Sequence, residues 1–150
     1  MRIRTAEPED LPAVERLLRA SGLPFDGVPE NFDSFVVAEE EDAIVGTIGL
    51  ELFDSAALLR SAVVSPDQRG TGLGRRLVGQ ILELAERSGV NEVYLLTTTA
   101  EDYFPRFGFH RTTRSAVPES VKSSAEFRGA CPDTAVVMAR HVGAAARGSR

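Results

Sequence analysis

The sequence predicts an α/β protein built on a mixed, mostly antiparallel sheet, with helices on both faces and one right-handed parallel crossover. Three observations carry this reading. Segments of strand character dominate the first half and are joined by turns short enough for hairpins. A glycine-rich turn, "QRGTGLG" at 68–74, links a strand to an amphipathic helix. A second strand, "VYLLTTT", follows that helix, so the two strands it connects run parallel. The chain has 150 residues, of which 43% are hydrophobic and 26% charged, enough to bury one core without covalent staples.

The elements follow in order. "MRIRT" alternates and reads as a first strand. In "EDLPAVERLLRASG", Leu11, Val14, Leu17 and Leu18 share a helical face, with Asp10 placed to cap it and Gly22 to stop it. Pro24, Gly27 and Pro29 break the next stretch into a loop. "SFVVAE" and "AIVGTIGLELF" are strands on either side of the acidic run Glu39–Asp42, which reads as a solvated turn. Asp54-Ser55 then separates "LELF" from "AALLRSAVV" as a two-residue hairpin turn. From Leu73 to Ser88, the side chains of Leu73, Leu77, Val78, Ile81, Leu84 and Ala85 build one helical face, closed by Gly89. "NEVYLLTTT" is almost continuously apolar, as a strand buried on both faces is. Thr98 and Glu101 have capping-box spacing at the head of a short helix, "AEDYFPRF", kinked at Pro105 and ended by Gly108. "SVKSSAEF" reads as another short helix and "TAVVMARHV" as the last strand. This gives a single domain over 1–142 and a frayed tail over 143–150.

Composition excludes several functions. The net charge of −5 argues against a nucleic-acid partner, which requires a basic face. No apolar run is long enough to span a bilayer, and the N-terminus has no signal-type apolar stretch, so the expected location is the cytoplasm with no membrane partner. The single cysteine, Cys131, excludes an internal disulfide and a multi-cysteine metal site. His110 and His141 lack metal-ligand spacing, and no metal is expected.

The glycine turn carries the chemistry. The first N–H groups of a helix lack internal partners, and the macrodipole adds partial positive charge there. Glycines clear the approach to those N–H groups. Arg75 and Arg76, in the first turn, oppose the dipole unless an anion sits with them. The competing reading is a plain surface turn with solvated arginines. Neither familiar phosphate loop fits: the Gly-Lys-Ser/Thr of a P-loop is absent, and the third position of a dinucleotide fingerprint falls on Arg75 or Leu77.

At these residues the chain resembles the GNAT N-acetyltransferases. "RGTGLG" fits the family's Arg/Gln-x-x-Gly-x-Gly/Ala motif through Arg69, Gly72 and Gly74. "AEDYFPRFGF" is similar to the family helix that ends in Tyr-x-x-x-Gly-Phe. The likeness spans roughly residues 1–140. It implies a GNAT-type fold and acetyl-coenzyme A as co-substrate. The turn Arg69, Gly70, Thr71, Gly72, Leu73, Gly74 and Arg75 would hold the pyrophosphate. Ala62, Val63 and Val64 would pair with the pantetheine arm, with Phe104 beside it. Ser61 and Thr97 are the implied acceptor contacts, and a homodimer is an expected assembly. A closer resemblance is to the small acetyltransferases of arsenic-resistance gene clusters, through "ALLRSAVVSPDQRGTGLG", "YLLTTTAEDYF" and "VPESVKSSAEFRGACPDTAVVM". That implies acetylation, by direct attack in a ternary complex, of a small toxic amine such as an arsenic-bearing amino acid. A protein N-terminus or lysine as acceptor, and a non-catalytic acyl-coenzyme A sensor, are the alternatives.

An amine of pKa about 10.4 is neutral in only about one part in 10³ at pH 7, so a proton acceptor is needed. Where relatives place a glutamate, this chain has Arg60. If Asp54-Ser55 is the turn, Glu51 faces Leu58 and Gly49 faces Arg60, which sets Glu51 diagonal to Arg60 on one sheet face. Arg60 would grip an anionic group of the acceptor while Glu51 relays a proton; a structural ion pair is the alternative. The family's acid tyrosine falls on Phe104, with Tyr103 adjacent. Tyr103 is the candidate acid, although one helical step turns a side chain by about 100° and could face it away. Cys131 is either a buried inert thiol or a lone thiolate for trivalent arsenic.

Overall fold

The computed structural model describes residues 1–142; the tail expected over 143–150 lies outside the described residues. Ten elements matter for the site: β1 (Arg2–Thr5), α1 (Leu11–Ala20), β2 (Phe35–Glu40), β3 (Ala43–Phe53), β4 (Ala56–Val64), α2 (Leu73–Arg87), β5 (Glu92–Thr97), β6 (His110–Thr112), α3 (Glu119–Lys122) and β7 (Val136–His141). The strands form one seven-stranded sheet in the order β1-β2-β3-β4-β5-β7-β6. Only β4 and β5 pair in parallel.

Period-two alternation sorts the side chains between the faces. Val36 and Ala38 of β2, Ile48 and Leu50 of β3, and Val93 and Leu95 of β5 pack under the apolar stripe of α2. On the other face, Phe35 and Val37 lie under Val14 and Leu18 of α1. Further along that face, Leu58, Tyr94 and Val137 lie under Val121 of α3. The second face is thus covered by two separate clusters, and the seam between them is where polar groups are buried.

Two local features open that seam. Asp54, at φ +51, makes the tight turn that sets Phe53 opposite Ala56, Glu51 opposite Leu58 and Gly49 opposite Arg60. A bulge then interrupts β4 at Ser61, whose φ is +61. Ala57 and Leu59 face α2, yet Val63 faces α1, so the extra residue reverses the alternation. Parallel pairing with β5 covers only Ala56–Leu58 against Glu92–Tyr94. Beyond Leu58 the strands are no longer paired with each other, and the sheet gapes between them.

Three expectations are corrected, and one strand is new. "AEDYFPRF" is not an α-helix but a turn followed by a 3₁₀ helix at Phe104–Phe107, with Pro105 at its start, where a missing N–H costs nothing. The expected Thr98–Glu101 box is replaced one residue earlier: Thr97 Oγ1 accepts from Ala100 N–H at 2.9 Å, and Glu101 pairs with Arg111. Asp10 does not cap α1 with its side chain. Its carboxylate instead accepts two hydrogen bonds from Arg4, at 2.7 and 3.0 Å, and one from Glu7 N–H at 2.7 Å. The strand β6 had no sequence reading, since three residues beside β7 show no periodicity to detect. Among the described residues no helix is long and apolar enough to cross a membrane.

Candidate active site

The glycine turn lies between β4 and α2. Gly72 is the N-cap of α2 at φ +87, and Gly70 stands at φ +80. Both are left-handed, a conformation costly for any residue with a Cβ. The first bond of the helix runs from Arg76 N–H to Gly72 O at 3.2 Å. The N–H groups of Leu73, Gly74 and Arg75 come before it and point out of the helix end. A Cβ built on Gly70 or Gly72 would meet no atom within 4 Å, so the space in front of the turn is open. A cleft of about 780 Å³ occupies it, and Arg69, Arg75 and Arg106 line that cleft. None of the ion pairs among the described residues uses these three arginines. Open donors, a helix N-terminus and guanidinium groups outside these ion pairs together make a cradle for a polyanion.

Tyr103 closes one end of the cleft. Its hydroxyl would lie 2.8 Å from a Cβ on Gly74, so the third glycine of the motif is what lets the phenol reach α2. The ring meets Phe104 and Phe107 edge-on at 5.4 and 5.2 Å, and the Arg106 guanidinium lies over it. The 3₁₀ geometry turns Tyr103, rather than Phe104, toward the glycine turn. Phe104 is buried in the core against Phe109 and lines the neighbouring cavity rather than the cleft. Thr71 does not line the cleft either: its hydroxyl donates to Gln68 O at 2.6 Å and closes the turn.

The gap between β4 and β5 is a second cavity, of about 220 Å³, bounded by Arg60, Ser61, Ala62, Thr97, Tyr103 and Glu126 among mostly apolar neighbours. A small hollow of about 140 Å³ shares Val64, Gly74 and Tyr103 with the cleft, and Ala62 and Tyr103 with the cavity. Val63 also lines this hollow. Tyr103 therefore borders all three spaces.

Beside the cavity lies a buried charge cluster. The Arg60 side chain is wholly enclosed. It donates from Nη1 to Glu51 at 2.7 Å, from Nη2 to Pro24 O at 3.1 Å and from Nε to Ser61 Oγ at 3.1 Å. Glu51 also accepts from Ser124 Oγ at 3.0 Å. Glu51 does not border the cavity; it sits behind Arg60, so the expected pair forms with its carboxylate off the cavity wall. The guanidinium expected to grip an acceptor anion already holds three protein oxygens.

Sequence reasoning missed Glu126. It begins a wide turn, Glu126–Ala130, and is 5% exposed. Its Oε2 lies 3.6 Å from Arg60 Nε. Burial pushes its carboxyl up to about 7, against the pull of Arg60, with Glu51 pushing the same way as burial. The helix expected over "SVKSSAEF" ends at Lys122, so Glu126 falls in the turn beyond it, and only the fold brings it to Arg60. Cys131 lines the same cavity, and burial together with the Glu126 charge pushes its thiol up to about 12, so it is protonated at neutral pH. Gln68, Arg106 and Phe107, which line the cleft, were also unforeseen.

A polyanion cradle joined by one tyrosine to a neighbouring cavity of small-molecule size is the arrangement of a group-transfer enzyme with a phosphate-bearing donor. Residues 31–111 match the family described as the acetyltransferase (GNAT) domain. The uncharacterized protein YwlB of Bacillus subtilis is 31% identical over 129 residues, covering 83% of this chain and 86% of that protein. An amino-acid acetyltransferase of Aeromonas salmonicida is 29% identical over 117 residues, covering 71% of this chain and 26% of that enzyme. The structure of N-acetylglutamate synthase from Neisseria gonorrhoeae, complexed with coenzyme A and N-acetyl-glutamate, superposes with a TM-score of 0.81 at 21% identity, covering 94% of this chain and 35% of that one. The chain therefore spans only 26% and 35% of those two longer proteins, and with the second it shares the fold. The chain belongs to the GNAT acetyltransferases, and it is an N-acetyltransferase that draws on acetyl-coenzyme A.

Proposed function

We propose that the protein moves the acetyl group of acetyl-coenzyme A to the amine of a small molecule held between β4 and β5, by direct attack with both substrates bound. The observation that carries this is the position of Tyr103, which borders the glycine-turn cleft on one side and the β4–β5 cavity on the other. The residues fit the donor. Two left-handed glycines with open space before them, three outward N–H groups and Arg69, Arg75 and Arg106 suit a pyrophosphate. The edge of β4 past Leu58 is free of β5 and suits an extended amide-bearing arm. When bound, acetyl-coenzyme A supplies an acyl thioester. The Tyr103 hydroxyl lies against Gly74 at the head of α2 and can give a hydrogen bond to the donor there.

The cavity, at about 220 Å³, is smaller than the ~300–1,000 Å³ of sites for drug-sized ligands, which suits an amine of amino-acid size. The amino-acid acetyltransferase and N-acetylglutamate synthase among the relatives support that size class. An arsenic-bearing amino acid also falls in it, and the sequence resemblance supports its inclusion. The test is thiol release from acetyl-coenzyme A across a panel of amines. The panel includes amino acids with acidic, apolar and phosphinate groups, an arsenic-bearing amino acid, and peptides with a free N-terminus or lysine. Release with a small amine and not with peptides is expected. Release with peptides alone would move the acceptor to proteins. Binding of coenzyme A with no release for any amine would make the protein a sensor.

A further inference from the structure

The two buried carboxylates around Arg60 are not equivalent. Glu51 is held from both sides, by Arg60 and by Ser124, and is shut away from the cavity. Glu126 borders the cavity, and although Arg60 Nε stands 3.6 Å from it, the hydrogen on that nitrogen goes to Ser61 Oγ. One carboxylate thus neutralises the guanidinium, and the second is surplus charge on the cavity wall. A surplus buried carboxylate is costly unless a cation joins it or it takes up a proton.

We propose that Glu126 accepts the first proton of the acceptor's ammonium group, so that the cavity takes its amine in the charged form and discharges it in place. This rests on the reading of the cavity as the acceptor site. The ammonium nitrogen gives one proton to a Glu126 oxygen. Its lone pair then forms the C–N bond to the acetyl carbon while the C–S bond breaks and its electron pair leaves with sulfur. The nitrogen's second proton passes to that sulfur, and coenzyme A departs as the thiol. Glu126 returns its proton to solvent when the product leaves. The balance is one ammonium and one thioester in, and one amide, one thiol and one proton out.

The charged and titratable groups facing Glu126 are Arg60 from β4, Glu51 behind it from β3, and the Cys131 thiol from the end of its own turn; Tyr103 stands elsewhere on the cavity wall. With its carboxyl near 7, Glu126 both takes and returns a proton at neutral pH, which an ordinary carboxylate does poorly. Cys131, held protonated, does not compete as a base.

The experiment uses the full chain, acetyl-coenzyme A and the fastest amine of the panel above, with kcat/KM measured from about pH 5.5 to 9.5. The wild type should show an acid limb near pH 7 that belongs to Glu126. Glu126→Gln should lose that limb, fall about 10²- to 10⁴-fold at pH 7, and recover as pH nears the amine's own pKa. Coenzyme A affinity by calorimetry should stay within about twofold, which separates proton chemistry from a misfolded site. Independently of turnover, carbon-13 NMR of the side-chain carboxyls should show one group titrating near pH 7 that is missing in Glu126→Gln. A Glu126→Gln profile that keeps its limb and its rate overturns the assignment while leaving the acetyltransfer reading intact. Failure of every amine with coenzyme A still bound overturns both.

Discussion

Gly72 and Gly89 sit at opposite ends of α2 in the same left-handed conformation, at φ +87 and +82, and a Cβ on either would meet nothing within 4 Å. Valine at either position therefore imposes the same kind of strain and no clash. The cost is at least about 1–2 kcal/mol, or a fall in Tm of about 2–8 °C for a chain of this size. Only Gly72 stands before the outward N–H groups of Leu73, Gly74 and Arg75. If those groups hold the pyrophosphate, a branched side chain there displaces at least one charge-assisted hydrogen bond. Such a bond is worth about 1.5–3 kcal/mol, or roughly 10- to 100-fold in affinity. The assay is calorimetric titration with coenzyme A beside thermal unfolding of both variants. Gly72→Val should lose affinity and Gly89→Val should not, while both lose similar stability. Equal losses of affinity would mean that strain in α2 was being read, and unchanged affinity in Gly72→Val would remove the turn from the binding site.

Arg60→Ala leaves Glu51 buried without its counterion and should destabilise the fold by about 3–5 kcal/mol in urea unfolding; a loss below about 1 kcal/mol would refute the buried pair. Tyr103→Phe removes a hydroxyl from the wall of the glycine-turn cleft and should weaken coenzyme A binding about tenfold in calorimetric titration; unchanged affinity would remove the phenol from the donor site. Gly74→Ala, whose Cβ would press on the phenol at 2.8 Å, should act through the same group, so the double variant should fall no further than the worse single one. The folded-state carboxyl of Glu126 is raised from 4.5 to about 7, so the folded protein binds the extra proton, and stability should decline as pH rises through that window. Thermal unfolding from pH 5 to 8 should show that decline, and Glu126→Gln should flatten it; a decline that persists in the variant would place the titrating group elsewhere.

Most of the sheet was legible because its strands alternate and its turns carry their own chemistry. Asp54-Ser55 sufficed to predict the pairing of Glu51 with Leu58 and of Gly49 with Arg60, and the strands pair in that way. The glycine turn was legible because φ above zero and a helix N-terminus both leave marks in sequence. The orientation of Tyr103 was harder: helical spacing left its direction open, and the 3₁₀ geometry at Pro105 decided it. Two features left no local trace. The bulge at Ser61 puts a non-glycine residue at φ +61, where no residue preference announces it. Glu126 reaches Arg60 from 66 positions away along the chain (126 − 60), through a turn with no periodicity.

These features are causally linked. The two-residue turn fixes the register that sets Glu51 diagonal to Arg60; a slip by one residue would drive Glu51 into the apolar layer under α2. The bulge, coming directly after Arg60, reverses the alternation, so β4 leaves β5 at the point where a buried cation has just been placed. Burying that cation requires a carboxylate, and Glu51 supplies it with a further hydrogen bond from Ser124. The pair is then electrically closed, which is why Arg60 has little left to offer an acceptor anion: such a group would have to compete with Glu51 and displace Pro24 O or Ser61 Oγ as well. Adding Glu126 tips the balance to one guanidinium against two carboxylates, and the lone deficit of positive charge lies on the cavity wall. An entering ammonium group would correct that deficit, and giving its proton to Glu126 would leave both partners neutral in a site too apolar to hold the separated charges. The same desolvation that raises the Glu126 carboxyl would thus favour the proposed transfer of the proton.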